Sequence, residues 1–258
     1  MLLEKKNAII YGGGGSIGAA VAAAYAAEGA RVFLVGRTRG TLDAAAAAVR
    51  DAGGTADVAV FDATDEKAVD EHAAAVVAEA GGIDISFNLI TRGDAQGTPL
   101  VEMTLADLRR AVDVGLTSTF LTARAAARQM TAQGSGVILS VTSGTAKVAV
   151  PMMGSTGPAD AAVESFLRCL AAEVGPAGVR VVGIHTAGVV ETLDVESIRA
   201  VNPNVDAETV VAGIAQMTML KRAPRLAQLV GTATFLASDA AAGITGTIVN
   251  TSCGLIPG

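Results

Sequence analysis

Tyr11-Gly12-Gly13-Gly14-Gly15-Ser16-Ile17-Gly18 follows the apolar run Asn7-Ala8-Ile9-Ile10 and leads into an alanine-rich stretch. The order is strand, glycine turn, helix. Glycines permit the tight turn and let the backbone approach a pyrophosphate closely, and the helix start adds free N–H groups and a positive dipole end. Gly13-x-Gly15-x-x-Gly18 is the general dinucleotide fingerprint in its required context. A glycine-rich turn that binds nothing is the alternative. Four successive glycines cost backbone entropy that a purely structural turn seldom needs. Gly12, Gly13, Gly15, Ser16, Ile17 and Gly18 are therefore expected to bind a cofactor.

The next apolar run ends in Val35-Gly36-Arg37-Thr38-Arg39. A protein reading NAD places Asp or Glu near this point, to bond the ribose 2′-hydroxyl. Gly36 stands there instead, with Arg37 beside it. A guanidinium matches a phosphate with paired donors, so NADP (NADPH) is expected over NAD. Solvated loop charges at Arg37 and Arg39 are the competing reading. Asp62, after the third run, is placed to cap the helix that begins near Asp65.

Further along the chain the pattern repeats. Strands are expected at 7–11, 31–35, 58–61, 84–88, 136–141, 179–185 and 247–250. Helices are expected near 16–28, 39–52, 65–80, 104–133, 157–174 and 224–238. Alternation of this kind gives an α/β fold, a Rossmann-type doubly wound parallel sheet with helices on both faces. No linker or composition break divides residues 1–258, so one domain is expected, with a lid segment near 191–221 around Asn202-Pro203-Asn204. The 51% hydrophobic composition with only 3% aromatic residues suits strands buried on both faces. A net charge of −6 offers no field for nucleic acid or anionic lipid. No apolar run is long enough to span a membrane, the first residues carry no signal core, and Cys169 and Cys253 have no His partner nearby. No metal site is read, and a cytoplasmic location is expected. His185 lies near the sheet's C-terminal edge and reads as structural before it reads as an acid or base.

Several segments carry a resemblance that covers nearly the whole chain. They are the glycine turn, Ile83-Asp84-Ile85, Gly136-Val137-Ile138-Leu139-Ser140-Val141-Thr142-Ser143, Ala171-Ala172-Glu173 with Gly178-Val179-Arg180-Val181, Phe235-Leu236-Ala237-Ser238-Asp239 and Ile244-Thr245-Gly246. On these the chain resembles the short-chain dehydrogenases/reductases. Gly12-x-x-x-Ser16-x-Gly18 matches that family's glycine spacing with its middle glycine replaced. The resemblance implies a catalytic serine at Ser143, but puts Thr156 at the tyrosine position, Asp160 at the lysine position and Gly115 at the asparagine position. Asn88 keeps the first residue of the family's asparagine-rich turn, Asp62 resembles the family's adenine-contacting aspartate, and Thr192 is carried over as a cofactor contact. The only tyrosines are Tyr11 and Tyr25. A threonine is too weak an acid to stand in for a lysine-activated phenol, and Asp160 is expected to repel a developing alkoxide. Two functions follow: an NADP(H)-dependent oxidoreductase whose substrate needs no tyrosine acid, such as an activated C=C bond, or a non-catalytic NADP(H)-binding sensor or partner subunit. The resemblance and the small-residue faces of the helices near 104–133 and 157–174 lead us to expect a homodimer or homotetramer.

Overall fold

The computed structural model describes residues 1–193, 196 and 206–256. Seven strands form one parallel sheet: β1 (Asn7–Tyr11), β2 (Arg31–Gly36), β3 (Thr55–Val60), β4 (Ile85–Asn88), β5 (Gly136–Ser143), β6 (Val179–Thr186) and β7 (Thr247–Asn250), in the order β3-β2-β1-β4-β5-β6-β7. Among the described residues the helices include α1 (Ser16–Ala27), α2 (Arg39–Asp51), α3 (Glu66–Ala80), α4 (Leu105–Gln133), α5 (Thr156–Val174), α6 (Ala207–Met217) and α7 (Leu226–Ala237). The α/β doubly wound fold is as the alternation foretold. The third strand begins three residues before the expected 58, because Thr55, Ala56 and Asp57 pair with Arg31, Val32 and Phe33 of β2.

Alternate side chains of each strand enter opposite cores, which is why the runs are apolar throughout. Ile10, Leu34 and Phe87 pack with α1, α2 and α7 on one face. Ile9, Phe33 and Ile138 pack with α3, α4 and α5 on the other. Helix ends follow local chemistry. Thr104 caps α4 by accepting the Asp107 N–H at 3.1 Å, and Gly134 ends it at φ 77°. Asp65 caps α3 through the Ala68 N–H.

β1 is flanked by β2 and β4, so the chain order reverses there. A crevice opens beyond the C-terminal strand ends at such a point, and ligands of doubly wound sheets bind in it. Asn202-Pro203-Asn204, the centre of the expected lid, lies outside the described residues. Of the remainder of that segment, α6 begins at a cap where Asp206 accepts the Thr209 N–H. Among the described residues no helix is long and apolar enough to cross a membrane.

Candidate functional site

The glycine turn sits at that reversal. The Gly12 and Gly13 N–H groups both donate to Val35 O, at 2.8 and 3.0 Å, tying the turn to the end of β2. Gly12 has φ +84°, and a Cβ there would lie 2.5 Å from Leu89 O. A Cβ on Gly18 would lie 2.2 Å from Gly12 O, so α1 can pack against the turn only at a glycine. No side chain caps the start of α1, which leaves its first amides for an anion. A cavity of about 340 Å³ opens in front, lined by Gly12, Gly14, Gly15, Arg37, Asp62 and Val114 among others. Gly14, which the spacing rules pass over, is a lining residue, and a Cβ there would press on Thr41 Oγ1 at 2.5 Å. Gly13, Ser16, Ile17 and Gly18 are not among the lining residues. The glycines thus divide into those that face the cavity and those that let the backbone close up behind it. This cradle fits a dinucleotide, since side chains on Gly12 or Gly14 would meet neighbouring atoms.

At the far end of the cavity Arg37 is 76% exposed, with its guanidinium 3.8 Å from Asp62. That separation is too long for a hydrogen bond and leaves its donors for another partner. Gly36, Thr38, Thr41 and Thr64 share this wall. Asp62 does not cap α3. Its Oδ1 accepts the Thr64 N–H and hydroxyl at 2.9 and 2.8 Å, and these bonds hold its carboxyl below the usual carboxylate range.

The other half of the site is built around a charge pair that sequence reasoning missed. Asp160, on α5, is fully buried. Its Oδ2 accepts the Ser143 N–H at 2.7 Å, and its Oδ1 faces Arg92 Nη1 at 2.9 Å. Arg92 comes from the loop after β4 and donates its Nη2 to Val141 O at 2.6 Å. Gly115 makes room, because a Cβ there would lie 2.7 Å from Arg92 Cδ. The expected repulsion of a developing alkoxide by Asp160 therefore omitted a counter-charge: Arg92 opposes it from 2.9 Å. Burial still pushes the Asp160 carboxyl up to about 6, against the pull of Arg92 and of the Ser143 N–H. A buried acid demands a partner, but nothing local in the sequence marks Arg92 as that partner.

The same loop is fastened along its length. Thr156 donates to Asp94 at 2.6 Å, Gln96 reaches both Asp94 and Thr156, the Ala95 N–H donates to Ser155 Oγ, and the Gly97 N–H donates to Met152 O. Ser143 Oγ accepts the Thr145 N–H and hydroxyl at 3.2 and 3.1 Å, which leaves its own proton to donate. Asn88 is buried, with Oδ1 on the Ile90 N–H and Nδ2 on Thr122 Oγ1, so it braces the turn against α4. Thr192 donates to Val189 O and does not line the cavity.

The fold is shared with known proteins. The family profile described as "Enoyl-(Acyl carrier protein) reductase" matches residues 13–256. The chain belongs to the short-chain dehydrogenase/reductase family. It is 33% identical over 244 residues to D-threitol dehydrogenase of Mycolicibacterium smegmatis, covering 95% of this chain and 90% of that one. It is 29% identical over 252 residues to 7alpha-hydroxysteroid dehydrogenase of Escherichia coli, covering 98% and 94%. The crystal structure of NAD+-bound xylitol dehydrogenase superposes with a TM-score of 0.89 at 26% identity, covering 98% of this chain and 100% of that one. Family membership makes this an oxidoreductase-type chain with a nucleotide-binding sheet. Both of its tyrosines are wholly buried. Tyr25 donates to Ala233 O. Burial raises both phenols well above their usual range, with Asp70 adding to the effect at Tyr11.

Proposed function

We propose that this short-chain dehydrogenase/reductase is an NADP(H)-dependent oxidoreductase whose substrate needs no phenolic acid, an activated C=C bond being the class that fits. One observation carries the reading. The cradle for a dinucleotide is intact, while neither tyrosine can reach a ligand. Alcohol–ketone interconversion moves a proton on and off oxygen, and it needs a group with a suitably placed pKa to do so. Thr156 is too weak an acid, and Asp160 is fully buried with its two oxygens turned to the Ser143 N–H and to Arg92, away from any substrate oxygen. Reduction of a conjugated alkene asks for less, and the description of the family profile is of that kind.

The residues divide the work as follows. The start of α1 and the glycine turn hold the pyrophosphate, Arg37 grips the 2′-phosphate, and Asp62 lies along the adenosine wall. When bound, the nicotinamide supplies a hydride. Ser143 donates to the substrate carbonyl oxygen, where a conjugated system spreads the incoming charge, and the carbon is protonated from solvent. Arg92, held against Asp160, keeps the region electrically balanced.

A second reading, a non-catalytic NADP(H)-binding sensor or partner subunit, is favoured by the fastened loop 92–97, which spends Thr156 on Asp94. For assembly, a homodimer or homotetramer through α4 and α5 is supported by Phe120, 41% exposed, which meets Phe166 edge-on at 5.7 Å. The cytoplasm remains the compartment we assign.

A fluorescence titration tests the core of the proposal. NADPH should bind at least about tenfold more tightly than NADH, and Arg37→Asp should abolish the difference. A screen of enones and enoyl thioesters for NADPH oxidation then separates the two readings. Equal affinities for the two cofactors refute the NADP assignment, and binding without turnover selects the sensor.

A further inference from the structure

On the opposite side of β5 from the glycine turn, a second cleft lies between α5 and the edge strand β7. Its volume is about 390 Å³, and its lining includes Lys147, Arg168, His185, Thr247, Ile248 and Ile256. No acid lines it. Beneath it lies Glu164, 1% exposed, on α5. Glu164 Oε1 accepts from Thr142 Oγ1 at 3.2 Å and is paired with His185 Nε2. That bond leaves Nδ1 as the ring nitrogen available to the cleft. Burial alone would raise the Glu164 carboxyl, but His185, Thr142 and Lys147 outweigh it, so it stays charged at neutral pH.

The two cations are not consumed by Glu164. Lys147 Nζ and Arg168 Nη1 stand 3.9 and 3.6 Å from its Oε2, beyond hydrogen-bond range, and their side chains are 48% and 44% exposed. Two cations over one buried carboxylate leave the cleft net positive within a chain of net charge −6. A single negative charge completes that balance. A second would face Glu164 across a poorly screened interior. Ile248 and Ile256 offer an apolar wall to whatever carries the charge.

We propose that this cleft binds a small organic carboxylate, its charge held between Lys147 and Arg168 above His185 and its carbon chain laid against Ile248 and Ile256. The site is separate from the dinucleotide cradle, and the proposal stands whether or not the chain turns over a substrate.

The chain has only two histidines, which makes the test direct. His72 is held near 4 by burial and stays neutral, so it serves as an internal reference. Imidazole resonances of the full-length protein, isotope-labelled at histidine, are followed at pH 7 while butyrate is added. The expected result is a saturable shift at His185, none at His72, and no shift with the neutral isostere butyramide. Lys147→Ala with Arg168→Ala should weaken butyrate at least about tenfold, as loss of a charge partner does. Lys147→Gln with Arg168→Gln, which keeps the stems, replaces that pair if it fails to fold. The proposal is overturned if His185 shows no saturable shift, if butyramide matches butyrate, or if the charge-free variants bind as well as the parent. Inorganic phosphate binding more tightly than butyrate overturns the assigned ligand class.

Discussion

Removing Arg92 tests the charge pair at the centre of the site. Arg92→Met keeps most of the side-chain length but leaves the fully buried Asp160 carboxylate facing no cation, and it frees the Val141 carbonyl. Breaking a buried ion pair from one side costs about 3–5 kcal/mol, a fall in Tm of about 10 °C for a domain of this size. The loss depends on pH. The folded-state value of Asp160 is raised from 3.8 to about 6. The folded protein therefore binds this proton more tightly than the unfolded chain does. Its contribution is most favourable below pH 4 and is lost as pH rises through 6, by about 3 kcal/mol. Without Arg92 the carboxyl rises further and the loss extends to higher pH. Urea unfolding at pH 5 and pH 8 should show a large deficit for Arg92→Met at pH 8 and a smaller one at pH 5, where the acid is protonated in both proteins. Arg92→Met combined with Asp160→Leu should recover most of the loss at pH 8, because replacing both members of a buried pair with apolar groups is often neutral. A deficit under about 1 kcal/mol at pH 8, or one equal at the two pH values, refutes the assignment of Arg92 as the partner that Asp160 requires.

Three further outcomes are expected. Purified protein should not measurably oxidise simple secondary alcohols with NADP+, and robust turnover free of contaminants would show that the chain holds a proton donor we have not identified. Gly14→Val should weaken NADPH binding at least about tenfold while the chain still folds, since even a Cβ there presses on Thr41 at 2.5 Å; unchanged affinity removes Gly14 from the cradle. Light scattering should give a dimer or tetramer, and Phe120→Asp with Phe166→Asp should reduce it to a 25.7 kDa monomer; a parent protein already at that mass defeats the assembly.

The sheet was legible because each strand is an apolar run bounded by turn residues, and both of its faces bury what they carry. The glycine turn was legible because backbone shape alone demands it. Gly14 was harder, since fingerprint spacing weights the glycines that close the turn and this one only keeps the cavity open. Arg92 could not be read at all. Nothing local marks an arginine in a loop as the partner of an aspartate 68 positions later; the packing of α4 against that loop at Gly115 helps bring them together. The Glu164–His185 pair was hidden likewise, because its halves lie on a helix and a strand whose register the sequence does not state. His185 read alone looked structural; with Glu164, Lys147 and Arg168 around it, it borders a cleft.

The Arg92–Gly115–Asp160 arrangement also constrains how this protein can change. The family resemblance places an asparagine at Gly115 and a lysine at Asp160. In a chain carrying Arg92, each of these meets a conflict when introduced singly. Asparagine at 115 would drive its Cβ to 2.7 Å from Arg92 Cδ, and lysine at 160 would set two cations face to face in a buried pocket. Losing Arg92 first strands Asp160. Each of these exchanges disturbs a contact made by another of the three, so their effects are expected to be non-additive. Exchanging all three positions together avoids both conflicts.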